Sequence, residues 1–130
     1  MWAIWEQGNT GILIDEGYMV HRNNRAFRAM LTQGRSKRIP MIVLSQRPVW
    51  MDRFVFSESE FYQIFRLQHA DDVKNVQKFV PADLSKRLEP YHSYYYDVGQ
   101  DRVVTMGPVP KIEQIHATFR KRIEPIKKVV

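Results

Sequence analysis

Two short apolar runs, each ending abruptly in polar groups, set the pattern of this chain. Ile12, Leu13 and Ile14 stop at Asp15-Glu16, and Met41 to Leu44 stop at Ser45-Gln46-Arg47-Pro48. An uninterrupted apolar run of this length is how a buried parallel strand reads when its carboxyl end opens into a site. Between the two, Phe27, Met30 and Leu31 follow the i, i+3, i+4 spacing of a helix face, with Asn23 or Asn24 as its cap and Gly34 as its stop. Strand, helix and strand in that order make a βαβ unit, which implies parallel strands and a right-handed crossover. Open α/β sheets take their ligands in the crevice beyond the carboxyl ends of such strands.

The flanking pattern is less regular. Met1 to Trp5 fits the last turn of a helix or a short strand, and Gln7 to Gly11 is a turn by composition. Gly17, just past the acidic pair, is where the backbone is expected to turn sharply. Val49 to Phe56 reads as irregular and aromatic, and Tyr62 to Leu67 as a third strand. Asp71 or Asp72 is positioned to cap a helix that buries Val73, Val76, Phe79 and Val80 before Pro81 ends it, and Leu84 with Leu88 predicts a helical turn. Ser93 to Val98 and Arg102 to Met106 flank Gly99-Gln100-Asp101 as a hairpin. A last helix runs from about Ile112 through Ile115, Phe119 and Ile123, with Arg120, Lys121 and Arg122 toward solvent and Lys127-Lys128 beyond.

Composition narrows the classes. At 130 residues, with 44% hydrophobic and 12% aromatic, the chain has room for one domain with a packed core. Twenty Lys+Arg against fourteen Asp+Glu leaves a formal charge of +6, which favours an anionic partner such as DNA, RNA or nucleotide and equally fits a mildly basic soluble surface. The absence of cysteine excludes a disulfide framework and a thiolate metal site, and is compatible with a reducing compartment. No apolar run approaches the roughly 18 to 20 residues of a membrane-spanning helix, and the opening residues lack the basic leader of a secretory signal. His21, His69, His92 and His116 have no spacing suited to a shared metal.

Candidate chemistry sits at the strand ends. A strand closing on Asp-Glu supplies what phosphoanhydride hydrolysis needs on one side of its site: a first carboxylate to hold magnesium, usually through water, and a second to polarise the attacking water. Asp15 and Glu16 fit those roles in that order. Gln46, at the end of the neighbouring strand, can hydrogen-bond both a terminal phosphate and the water, although an amide in a turn set by Pro48 accounts for it as well. Arg47 reads as structural, tying down that turn, and Arg66, within a strand, needs a partner or an edge. Tyr94-Tyr95-Tyr96 can stack on bases or alternate on a half-buried hairpin. Trp50 and Phe54 fit satellite packing near the second strand, and the basic end fits a solvated helix face or a DNA-backbone contact.

On these residues the chain resembles the carboxyl-terminal half of the P-loop ATPase core in the FtsK/HerA superfamily, which includes DNA-translocating, DNA-packaging and filamentous-phage assembly motors. Ile12 to Glu16 matches the Walker B strand, and Met41 to Pro48 matches the strand that ends in Thr/Ser-Gln-Arg-Pro. Ile64 to Leu67, followed by Asp71-Asp72-Val73, matches the later strand and helix. The resemblance implies a partial RecA-like α/β core over residues 1–90, with a hairpin and basic helical tail over 91–130 in the same domain. It implies Asp15 at magnesium, Glu16 as catalytic base, Gln46 as γ-phosphate sensor and Ser45 beside the nucleotide. Arg35, in the basic stretch before the second strand, would reach the phosphate of a neighbouring subunit in a ring, or is a solvated charge among Lys37 and Arg38. ATP, magnesium, DNA, self-association and the host cytoplasm belong to the same expectation.

One part of the family pattern is missing. No Gly-x-x-x-x-Gly-Lys-Ser/Thr occurs in these residues, so the phosphate-loop strand, which in the family lies between the Gln-bearing strand and the next one, has no counterpart here. The chain is therefore expected to be inactive alone and to work with an amino-terminal half of the core, either in one polypeptide or as a separate partner. Two rival readings remain: a non-catalytic remnant or partner subunit, and a small basic nucleic-acid-binding module.

Overall fold

The computed structural model describes residues 1–123. Helix α1 (Trp2–Gln7) leads into strand β1 (Ile12–Ile14), followed by α2 (Arg25–Gln33) and strand β2 (Met41–Val43). A short helix α3 (Arg53–Ser57), strand β3 (Phe61–Ile64) and helix α4 (Ala70–Val76) come next, then the hairpin β4 (Ser93–Asp97) and β5 (Arg102–Met106), and finally α5 (Ile112–Ile123). Lys127 and Lys128 lie outside the described residues.

The βαβ unit forms as its pattern predicts. β1 and β2 pair in parallel, Ile12 opposite Met41 and Ile14 opposite Val43. The Asn24 side chain caps α2, its carboxamide oxygen accepting the Phe27 N–H at 3.0 Å, and this satisfies one of the helix's orphan donors. Phe27 and Met30 are fully buried. Gly34 does not stop the helix: its φ of −58° is helical and a 3-10 turn continues to Lys37. The reversal falls on Arg38 at φ 54°, whose N–H bonds back to the Arg35 carbonyl.

Beyond Pro48 the chain is more ordered than its composition indicates. Asp52 caps α3, accepting the Phe54 N–H at 3.1 Å, and its other oxygen takes Arg28 Nε at 2.8 Å, which ties α3 to α2. β3 ends at Ile64, short of Leu67, and pairs antiparallel with β4, which pairs with β5. Residues 91–106 thus continue the sheet that β3 begins. Phe56, Ile64, Val76, Val80, Ala82, Leu84 and Tyr96 form the core beneath this sheet, and Phe79 stacks on Phe56. Leu84 enters that core without a helical turn, its N–H held by the Gln77 carboxamide at 3.0 Å.

The apolar runs of β1 and β2 were expected to be buried on both faces, and they are not. Leu13 is 64% exposed and Ile42 58%, while their neighbours are half-buried. The strands therefore present one apolar face, that of Leu13 and Ile42, to solvent. The described strands also fall into two sheets, β1-β2 and β3-β4-β5, so β2 and β3 each keep an unpaired edge.

Candidate nucleotide site in the cleft between the sheets

The two unpaired edges face one cleft of about 590 Å³, lined along one side by Val43 to Pro48 and along the other by Phe61 to His69. Asp15 and Glu16 close one end. Unpaired strand edges cost stability unless water or a partner satisfies them, so this slot is suited to another strand.

The turn at the acidic pair is built by residues other than the one expected. Glu16, not Gly17, adopts the left-handed conformation, at φ 53° and ψ 60°. Gly17 is required instead for close approach: a Cβ there would lie 2.3 Å from Val43 Cγ1 and 3.3 Å from Met51 Sδ. The Gly17 N–H donates to the Leu44 carbonyl at 2.7 Å and extends the pairing of β1 with β2 past their ends. This clamp holds the acidic pair beside Ser45 and Gln46.

Within the cleft, Asp15 Oδ1 accepts the Glu16 N–H at 3.0 Å and Glu16 Oε2 faces the Gln46 N–H at 3.4 Å. Ser45 Oγ accepts the Arg47 N–H at 3.1 Å. Arg47, on the cleft wall, donates from Nε to Asp72 at 3.0 Å with its guanidinium 4.1 Å from the Trp50 ring centroid. Asp72 is 1% exposed and its other oxygen accepts the Val49 N–H at 2.8 Å. It does not cap α4, since His69 occupies the cap position; it fastens the Ser-Gln-Arg-Pro turn to α4. This anchor was not legible as such, because residues 25 positions apart share it.

Asp15, Glu16, Ser45 and Gln46 thus line one cleft, and Arg35 does not. The Arg35 guanidinium pairs with Glu60 at 2.8 Å on an exposed surface, where such a pair contributes little to stability. Arg66, whose partner the pattern left open, is exposed on the β3 side of the cleft. Trp50 packs edge-on against Tyr18, and Phe54 lies under Arg28 and Arg53. Two adjacent carboxylates with a nearby hydroxyl suit magnesium, which keeps several waters and takes one or two carboxylates along with substrate phosphates. No cluster of three or more His, Asp or Glu able to hold a metal by themselves occurs among the described residues.

No family profile matches the chain. The DNA packaging ATPase P9 of Enterobacteria phage PRD1 is 50% identical over 129 residues, an alignment that takes in 92% of this chain and 57% of that protein. The genome packaging NTPase B204 of Sulfolobus turreted icosahedral virus 2, in complex with AMPPCP, superposes with a TM-score of 0.69 at 20% identity over 83% of this chain and 56% of that one. The DNA-packaging ATPase B204 of Sulfolobus turreted icosahedral virus gives the same TM-score over 84% and 57%. The chain spans a little over half the length of these proteins. By sequence the chain is similar to a phage DNA-packaging ATPase, and its fold matches part of the fold of viral genome-packaging NTPases.

Proposed function

We propose that this chain is the acid-and-sensor part of an ATP-hydrolysing DNA-packaging motor, completed by an element that carries a phosphate loop. The reading rests on one observation: two parallel strands deliver Asp15, Glu16, Ser45 and Gln46 to a single cleft whose sides are unpaired strand edges. A strand inserted between β2 and β3 would join the two sheets and put its carboxyl end, with the phosphates, beside those four residues. Relatedness to a packaging ATPase supports the same assignment.

In this reading Asp15 holds magnesium through water and Ser45 lies beside the bound phosphates. The metal, when bound, withdraws charge from the phosphates and so supports attack by water. Glu16 accepts a hydrogen bond from the attacking water and orients it, and Gln46 bridges water and terminal phosphate. Because the Gln46 backbone already faces Glu16, loss of the terminal phosphate is felt on both strand ends at once. The Arg47–Asp72 anchor carries that displacement toward α4. Arg35 is proposed to exchange Glu60 for a phosphate of the adjoining subunit in a ring, and DNA is the proposed substrate of translocation.

The test is complementation. The chain is co-expressed with the part of the PRD1 protein that it does not span, and ATP binding and phosphate release are measured with and without double-stranded DNA. Turnover by the pair, absent from either part alone, is the expected result. A stable pair that binds no ATP and releases no phosphate would assign the chain to a non-catalytic partner.

A further inference from the structure

Leaving β3, the chain passes through Phe65, Arg66, Leu67, Gln68 and His69, all of which line the cleft that holds the acidic pair. Under the proposed function a polyphosphate enters this cleft beside two carboxylates. A cation on the cleft wall would add to the positive charge that the metal and the phosphate loop supply.

The basic side chains lining the cleft are Arg47, Arg66 and His69. Arg47 is already committed, with Nε 3.0 Å from the buried Asp72 and its guanidinium against Trp50. Arg35, the other guanidinium considered for this chemistry, pairs with Glu60 and does not line the cleft. Arg66 is exposed and, among the described residues, its side chain makes neither an ion pair nor a hydrogen bond. An arginine on an outer surface needs no more than water. One placed on a concave wall shared with the acidic pair and with Gln46 brings a fork of donors to the same cleft, and that fork matches phosphate oxygens two at a time.

We propose that Arg66 is a phosphate-binding residue of this site, contacting the nucleotide from the β3 side while Gln46 contacts it from the β2 side. The assignment rests on the ATPase reading. It gives the site a guanidinium in cis, independent of any neighbouring subunit.

The experiment uses the complemented assembly and calorimetric titration with ATP, ADP and adenosine, in wild type, Arg66→Ala and Arg66→Lys. Arg66→Ala is expected to weaken ATP and ADP by about tenfold or more, the contribution of a charge-assisted hydrogen bond. Arg66→Lys should lose less, since it keeps the charge and gives up the fork, and adenosine should bind equally to all three. Equal ATP affinity in wild type and Arg66→Ala overturns this proposal and leaves the ATPase reading standing. Parallel loss of adenosine and ATP, with lysine no better than alanine, makes Arg66 structural and overturns it too. A wild-type assembly that binds no ATP overturns both.

Discussion

Arg47 Nε donates to Asp72 Oδ2 at 3.0 Å, across 25 residues of chain, and so joins the end of β2 to the first turn of α4. Asp72 is almost wholly buried and also holds the Val49 N–H, so neither partner can be removed without stranding the other. Arg47→Met should destabilise the chain by about 3 kcal/mol, because the buried Asp72 carboxylate loses its compensating charge. Asp72→Ala should also destabilise it, because the Val49 N–H and the Arg47 guanidinium both lose their acceptor. Urea unfolding measures this, and a loss under about 0.5 kcal/mol would show the anchor to be dispensable.

Gly17→Ala should be destabilising out of proportion to one methyl group. The added carbon would overlap Val43 Cγ1, and overpacking of this kind costs about 1–3 kcal/mol. Combining it with Val43→Ala removes the colliding atom, so the double variant should be more stable than the sum of the single losses predicts. Strictly additive losses in a double-mutant cycle would place the strain elsewhere.

Tyr62 donates its hydroxyl to the Phe56 carbonyl, and burial, with Tyr96 adding a smaller effect, pushes its pKa from 10.0 up to about 12. A group whose folded pKa lies above its unfolded value contributes stability in full below the unfolded pKa and loses it as pH rises through the folded one. Stability should therefore fall between pH 10 and 12. Tyr96, raised by its hydrogen bond to Asp101, acts in the same direction. In Tyr62→Phe the alkaline loss should be smaller though not abolished, as read from unfolding midpoints on either side of pH 10. A pH dependence identical to wild type would mean that Tyr62 does not titrate there.

In the complemented assembly, Glu16→Gln should bind ATP about as well as wild type and release phosphate at a rate reduced by about a hundredfold or more, since only its interaction with the attacking water is lost. Rapid turnover by this variant, measured in a coupled phosphate assay, would take Glu16 out of the mechanism.

Arg35 offers a test of the ring. Arg35→Ala should abolish hydrolysis without weakening ATP binding, and mixing these subunits with Glu16→Gln subunits should restore some turnover at interfaces that combine one intact residue from each. Failure to recover at any mixing ratio would leave Arg35 as the exposed partner of Glu60.

Local pattern alone settles a good deal of this protein. The run Ile12 to Ile14, the spacing of Phe27 and Met30, and the Gly99-Gln100-Asp101 turn fix the βαβ unit and the hairpin, because period and turn chemistry act within a few residues. The acidic pair and the Ser-Gln-Arg-Pro ending are readable for the same reason: a polar residue closing an apolar run has to lie at a strand end. Other features depended on contacts between distant segments. Glu16 takes the left-handed turn expected of Gly17, and position 17 needs glycine for a different reason: Val43, brought alongside by strand pairing, leaves no room for a Cβ there. Asp72 leaves its expected capping role because Arg47 and the Val49 N–H, unsatisfied in the neighbouring turn, compete for its carboxylate. The exposed face at Leu13 and Ile42 and the slot between β2 and β3 also belong to tertiary structure. An apolar run states that a strand can be covered on both sides, and only the arrangement of the other elements decides whether it is.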